Sequence, residues 1–409
     1  MPVLALLLAV VTACDDGTGT RVERTAPSTG QSAAQPPAGP HPLFKKQVRD
    51  QVSAAHSVTE KTGSAHFVST LVYGSAKGDI VQRDEGDQDY TTQSASAEHT
   101  FLMPAAHPAS LLEDLNEDTR KSRQSLIVAD GDVLHHTSSG RWLRYSSAAG
   151  SEFAKKADEM LSHSGEAAPY RTPLSDILAE LSAENAPKVQ PDGTRRYTEK
   201  INRQSVGQLL PDALRAAIWQ ENKDGPTTQA PLTVDVDAKG RVTRIEANLD
   251  GVLPVLKKNA ASHLPGVRTL RAQYTLTHFG RAIPAPAPVG ATVDDAEKLL
   301  VALQDMKPGT CADSKDTGMK VKQLARPVDC GKRHDLRVFG QVAIDEPADG
   351  DEEQQADSIA MDECGRKYDS MPAGWRSDTI DNGYYTQRSD LSTLGDTLKG
   401  AYTCYFLTP

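Results

Sequence analysis

Apolar positions along the chain fall into three kinds of stretch, and each predicts a different element. The first is the unbroken run Leu4-Ala5-Leu6-Leu7-Leu8-Ala9-Val10-Val11, closed by Thr12, Ala13 and Cys14. It is shorter than the roughly 20 residues a spanning helix needs and matches the apolar part of a secretory signal. Residues 15–40 follow, rich in Gly, Thr, Ser, Ala, Gln and Pro. Such a stretch buries no core and reads as a flexible tether. From Pro42 the spacing becomes helical. Leu43, Phe44, Val48, Val52, Ala55 and Val58 recur at three- and four-residue steps until Gly63, a helix stop. His66 to Tyr73 then reads as a strand. Phe67, Leu71 and Tyr73 share one face, Val68 and Val72 the other. A strand wetted on one side alternates more strictly.

Further strands and helices follow. Asp130-Gly131, between Leu126-Ile127-Val128 and Val133-Leu134, predicts a tight hairpin turn. Ser138-Ser139-Gly140 leads into the strand Arg141 to Tyr145. Phe153 to Leu161 is moderately helical, and Thr172-Pro173-Leu174 opens a helix with Leu174, Ile177, Leu178 and Leu181 on one face. Tyr197 to Ile201 alternates, and helix-like material around Val206, Leu209, Leu210, Leu214 and Ile218 comes next. Leu232, Val234 and Val236 alternate up to a Lys239-Gly240 turn, and Ile245, Ala247 and Leu249 return. Leu270, Ala272, Tyr274 and Leu276 make the cleanest strand. The order of helix, strands, helices, strands predicts an α+β domain, a curved antiparallel sheet packed on helices.

Pro284, Pro286 and Pro288 mark a stiff connector. Thr292 is expected to cap a helix carrying Ala296, Leu299, Leu300 and Leu303, and Asp345 to Glu353 reads as an acidic loop. The expected divisions are a signal segment 1–13, a tether 14–41, a first domain 42–282, a connector and helix 283–308, and a small second domain 309–409. No internal repeat is present.

Composition narrows the class. The chain has 409 residues, a hydrophobic fraction of 38% and a formal net charge of -10. That charge argues against a nucleic-acid partner and against electrostatic adhesion to anionic lipid. Of the five cysteines, Cys14 stands alone, and Cys311, Cys330, Cys364 and Cys404 fall in the last quarter. An even set in one exported segment reads as disulfides, with three pairings open. No C-x₂-C pair favours a metal site.

Three resemblances add to this. The run ending in Val11-Thr12-Ala13-Cys14 resembles a bacterial lipobox. That implies lipidation of the Cys14 thiol, cleavage before it, and anchoring at the outer face of the cell membrane. The usual basic residues are missing from Met1-Pro2-Val3, which leaves room for a start upstream of Met1. Residues 43–280 resemble the LolA/LprG-type lipoproteins of actinobacteria. The resemblance is carried by the order of tether, amphipathic helix and Lys61-Thr62-Gly63-Ser64-Ala65-His66-Phe67. Asp132-Val133-Leu134 leading to Gly140-Arg141-Trp142-Leu143-Arg144-Tyr145, and the Asp235-to-Leu249 hairpin, support it. It implies a half-open barrel on helices with an apolar cavity for acyl chains. Residues 309–409 resemble a septum-formation-type domain, through Cys311, Pro327-Val328-Asp329-Cys330-Gly331-Lys332-Arg333-His334-Asp335 and Val338-Phe339-Gly340. A tryptophan expected before the last cysteine is absent from Gly400-Ala401-Tyr402-Thr403-Cys404. This resemblance, with sequence proximity, implies Cys311–Cys330 and Cys364–Cys404.

The remaining chemistry is sparse. His334-Asp335 lacks a nucleophile in recognisable context and is expected to be structural. Asp235 to Glu246 imitates a calcium loop, but Lys239 occupies a ligand position and the flanks alternate as strands, so a hairpin is expected. The acidic stretch is expected to be a solvated face. Phe67, Leu71, Tyr73, Trp142, Tyr274 and Leu276 are the candidates to line a lipid cavity, or else an ordinary core. The expectation is a membrane-anchored, non-enzymatic lipoprotein without cofactor or metal that binds or carries a lipid or lipidated molecule in an apolar cavity at the outer face of the cell membrane. The alternative is an interaction or scaffold module of the envelope or septum, with a filled barrel and a protein partner.

Overall fold

The computed structural model describes residues 41–408, except 116, 118, 138–139, 147–172, 220–228, 260–263, 289–291, 315–316, 318–323, 349–351 and 377–382. The signal-like run, Cys14, the tether and the Phe153–Leu161 helix lie outside these residues. The pattern that starts at Pro42 forms two pieces rather than one helix. Pro42–Lys45 is a single 3-10 turn and α1 runs over Val48–Glu60. Lys46 between them is extended, and its carbonyl is taken by Gln51 Nε2 at 2.9 Å. Gln51, Val52, Ala55 and Thr59 form the buried stripe of α1. Gly63, at φ +86°, then turns the chain into the first strand, a conformation that favours glycine.

The first sheet contains, in chain order, β1 (Ser64–Ser75), β2 (Ile80–Asp89), β3 (Ser94–Leu102), β4 (Lys121–Ala129), β5 (Asp132–His136) and β6 (Trp142–Tyr145). It continues with β7 (Lys188–Val189), β8 (Arg195–Ile201), β9 (Ala230–Val236), β10 (Val242–Asn248), β11 (Val267–Thr277) and β12 (Val293–Asp295). The spatial order is β12-β6-β5-β4-β3-β2-β1-β11-β10-β9-β8-β7, so among the described residues the sheet is not closed. All neighbours are antiparallel except β12, which runs parallel to β6. Asp130 and Gly131, at φ +54° and +80°, make the expected tight turn between β4 and β5. β2 and β3 carry no clear alternation of apolar residues, and the sequence reading missed both.

Register assigns the faces. Phe67 pairs with Leu276, Leu71 with Ala272 and Tyr73 with Leu270, so these point to one inner side. Across β2 and β3 the same side carries Gln82, Asp84, Gly86 and Gln88, then Ala95, Ala97, His99 and Phe101. Gly86 sits where β2 and β3 press together. A Cβ there would overlap the Ser96 carbonyl oxygen and lie 2.8 Å from Ala97 Cα. A glycine inside a strand marks such a close backbone approach.

Helices cover the inner side of β1 and β8–β11. After the single turn α2 (Leu111–Asp114) come α3 (Pro173–Glu180), α4 (Arg203–Gln208), α5 (Asp212–Trp219) and α6 (Leu253–Asn259). Their apolar residues and those of the sheet form one contiguous core, with Leu43, Val52, Ile177, Leu214 and Leu256 among its members.

The connector differs from expectation. Instead of a helix capped by Thr292, Val293–Asp295 adds β12 to the sheet and only α7 (Ala296–Leu299) is helical. Leu300 is extended again, at φ -107° and ψ 151°, and Leu303 begins a 3-10 turn. Arg144 pairs with Asp295, and Arg141 Nη1 reaches Asp294 at 3.2 Å. Ala296 and Leu300 pack with Leu126, Val133, Leu143 and Tyr145, so the inner side of β4–β6 shares a core with the C-terminal lobe.

That lobe holds β13 (Val301–Ala302), β14 (Cys311–Asp313), β15 (Leu324–Val328), β16 (Leu336–Pro347), β17 (Tyr385–Leu394) and β18 (Thr397–Leu407), in the order β13-β15-β14-β16-β18-β17. The acidic stretch is not a loop throughout. Asp345 and Glu346 end β16, and Glu352 begins α8 (Glu352–Ser370). The short α9 (Ala373–Arg376) follows. The bonds Cys311–Cys330 and Cys364–Cys404 cross-link the lobe. The chain is thus α+β, with a large open sheet on helices and a smaller disulfide-bonded sheet.

Candidate ligand layer between sheet and helices

Five of the six candidate lining residues meet in one layer. Phe67, Tyr73, Tyr274 and Leu276 are buried within the main core, and Leu71 packs at its margin. The rings of Phe67 and Tyr274 stand 6.1 Å apart. Their neighbours across the layer come from α3 to α6, including Leu178, Val206, Ile218 and Leu256. Trp142 does not join them. It pairs with His136, on the side of the sheet opposite Leu143 and Tyr145, and its ring lies 5.0 Å from that of His136.

Each phenol in the layer is tied to a polar partner, as a buried hydroxyl requires. Gln88 Nε2 donates to Tyr274 Oη at 2.9 Å and to Tyr90 Oη at 2.7 Å. Tyr73 donates to Gln82 Oε1 at 3.4 Å, and Tyr197 to Gln51 Oε1 at 2.6 Å. Burial pushes the Tyr197 hydroxyl up to about 12. Burial, with Glu60 nearby, raises Tyr90 as well. A raised tyrosine resists ionisation in the fold but not in the unfolded chain. Its contribution is therefore complete below the ordinary tyrosine range and is lost as pH climbs through the folded value. Circular dichroism against pH should show stability level through neutrality and falling from about pH 10 towards 12. A flat profile there would contradict these burials.

The polar inner positions of β2 and β3 form a second group. His99 Nδ1 lies 2.8 Å from Asp84 Oδ1, and Nε2 lies 3.1 Å from Glu117 Oε1. Ser122 Oγ donates to Glu117 Oε2 at 3.1 Å. His99 and Glu117 are both buried. Only a doubly protonated ring donates to both carboxylates. Gln82 Nε2 donates to the Leu115 carbonyl at 3.2 Å, tying the segment after β3 down over the sheet. Sequence reasoning missed this group, because its members lie on three separate segments. The signal present was polar alternation, Gln82-Asp84-Gly86-Gln88, which reads as surface until the partner strand is known.

The other candidates fall into structural roles. Asp237 accepts from the backbone of Lys239 and Arg241 and from the Arg241 side chain, so this carboxylate builds the β9–β10 turn. Arg196 holds Asp235 at 2.7 and 2.8 Å. His334 Nδ1 lies 2.8 Å from the Lys332 carbonyl, while Asp335 accepts from Ser314 N and Oγ at 2.8 and 3.0 Å. Among the described residues no group of three or more His, Cys, Asp or Glu is arranged to hold a metal ion, and no helix is long and apolar enough to cross a membrane.

No family model matches the chain, and no curated protein matches it. Among solved structures, LprF of Mycobacterium bovis is similar at 12% identity and a TM-score of 0.33, over 59% of this chain and 97% of its own. The lipoprotein LppX of Mycobacterium tuberculosis is similar at 13% identity and 0.29, over 57% and 98%. The MucA/MucB complex of Pseudomonas aeruginosa gives 10% identity and 0.23, over 87% and 93%. All three scores are low.

Proposed function

We propose that the chain is an exported lipoprotein, held at the outer face of the cell membrane through lipid on Cys14, that takes an acyl chain between its open sheet and the helices covering it. The observation that carries this reading is the construction of the layer. The sheet satisfies its own ladder from β1 across to β8, so the helices supply apolar cover and no backbone pairing. They are short, α3 to α6 spanning 8, 6, 8 and 7 residues. Helices of that length are marginal alone and owe their order to packing. Lifting them from Phe67, Leu71 and Leu276 exposes apolar surface that an acyl chain can cover instead. The reading requires no catalytic group and no cofactor.

The alternative reading is an envelope interaction module with a filled core. It is favoured by the phenols of Tyr73, Tyr274 and Tyr197, each bonded within the chain. One experiment separates the two. The intact chain, made in a bacterial host that processes lipoproteins, should fractionate with membrane, and the Cys14→Ser chain should appear in the soluble exported fraction. Native mass spectrometry of that soluble protein should reveal a lipid adduct. Protein free of lipid, with no uptake of a fluorescent fatty acid, would sink the carrier reading in favour of the module. Membrane retention of Cys14→Ser would remove the anchor.

A further inference from the structure

The two disulfides of the C-terminal lobe sit in unlike surroundings. Cys364 and Cys404 are both fully buried, packed with Phe339, Phe406 and Met371. Cys311 is also fully buried, but its partner Cys330 follows the end of β15 and is partly exposed. The buried sulfur has a cation beside it. Arg337 stands opposite Cys311 in the β14–β16 ladder, and its Nε donates to Cys311 Sγ at 3.0 Å. The Arg337 residue is itself buried, and its guanidinium carbon lies 4.9 Å from the centre of the Trp375 ring.

A guanidinium stabilises a thiolate far more than it stabilises a neutral disulfide sulfur. Thiol exchange runs faster when the attacked sulfur can be reached and when the departing sulfur leaves as a stabilised thiolate. Here the sulfur of the partly exposed cysteine and the sulfur beside the guanidinium are the two ends of one bond. We propose that Cys311–Cys330 is a thiol-exchange site, opened by an exported dithiol reductant, and that Cys364–Cys404 is a fixed staple.

A thiolate of the reductant attacks Cys330 Sγ, the Cys311–Cys330 bond breaks, and its electron pair leaves on Cys311 Sγ beside Arg337. The new bond joins the reductant to Cys330. The reductant's second thiol, on losing its proton, attacks its own sulfur in that mixed disulfide and releases Cys330. The reductant ends oxidised by two electrons, and its two protons pass to the two cysteines or to solvent.

The test uses the folded chain with dithiothreitol, quenched by iodoacetamide at intervals and mapped by peptide mass spectrometry. Cys311 and Cys330 should be alkylated on the order of tenfold sooner than Cys364 and Cys404. Arg337→Met should slow that opening several-fold and leave the other pair's rate unchanged. Both disulfides opening together, or Arg337→Met opening as fast as the parent, would overturn the proposal. Should Arg337→Met fail to fold, glutathione on the parent chain decides the direction of attack. Glutathione recovered on Cys330 supports the site, and glutathione on Cys311 or on neither refutes it.

Discussion

Replacing His99 with leucine should destabilise the protein by about 3–5 kcal/mol, read as a lower denaturant midpoint with an unchanged slope. The ring bridges Asp84 and Glu117, and it is buried with Glu117. Removing it takes away the ring nitrogen that each carboxylate contacts, and an acidic group left on the inner face without that partner is costly. The loss belongs to the pairing rather than to the volume, since leucine fills much of the same space. Adding Glu117→Leu to His99→Leu should therefore restore part of the stability, because a buried pair removed whole costs less than one broken in half. An unchanged midpoint for His99→Leu would mean that the group contributes nothing to the fold.

Gly86→Ala should cost about 3 kcal/mol, although alanine is normally the better residue in a strand. The added methyl has nowhere to go. It would overlap the Ser96 carbonyl oxygen and crowd Ala97 Cα, and both are backbone atoms that no rotamer change can move. The two strands would have to part at this point. Gly251→Ala is the control, since a Cβ there meets nothing within 4 Å, and its midpoint should hold or rise. Equal midpoints for the two variants would refute the account of Gly86 as the point of close approach.

Much of the first sheet is legible because burial on one face writes itself as alternation. Leu270, Ala272, Tyr274 and Leu276 predict β11, and the structure buries all four. β2 is illegible for the converse reason, since after Ile80 its inner positions are Gln82, Asp84, Gly86 and Gln88. Their environment comes from β3 and from Leu115 and Glu117, far along the chain. The connector fails differently. Ala296, Leu300 and Leu303 are all buried, as their spacing implies, yet the first two serve one core and Leu303 another. Spacing records which residues are buried and not the path between them. In α8 the clue was present, since Ala356, Ala360 and Cys364 are buried at four-residue steps beneath an acidic surface. For the candidate layer, the rings of Phe67, Tyr73 and Tyr274 could be read from sequence. The amides that hold the phenols could not, because Gln82 and Gln88 face inward only once β2 is paired.

An open sheet has two margins, and among the described residues they are β7 with two residues and β12 with three. A long bare margin is a template on which another chain can add its own strand, and short ones are a common guard against it. The inner strands β1, β2 and β11 run to 12, 10 and 11 residues, so the sheet is longest where it is protected. A chain approaching β7 or β12 would therefore find few backbone groups on those strands to extend, while the sheet keeps the openness that closure into a barrel would remove.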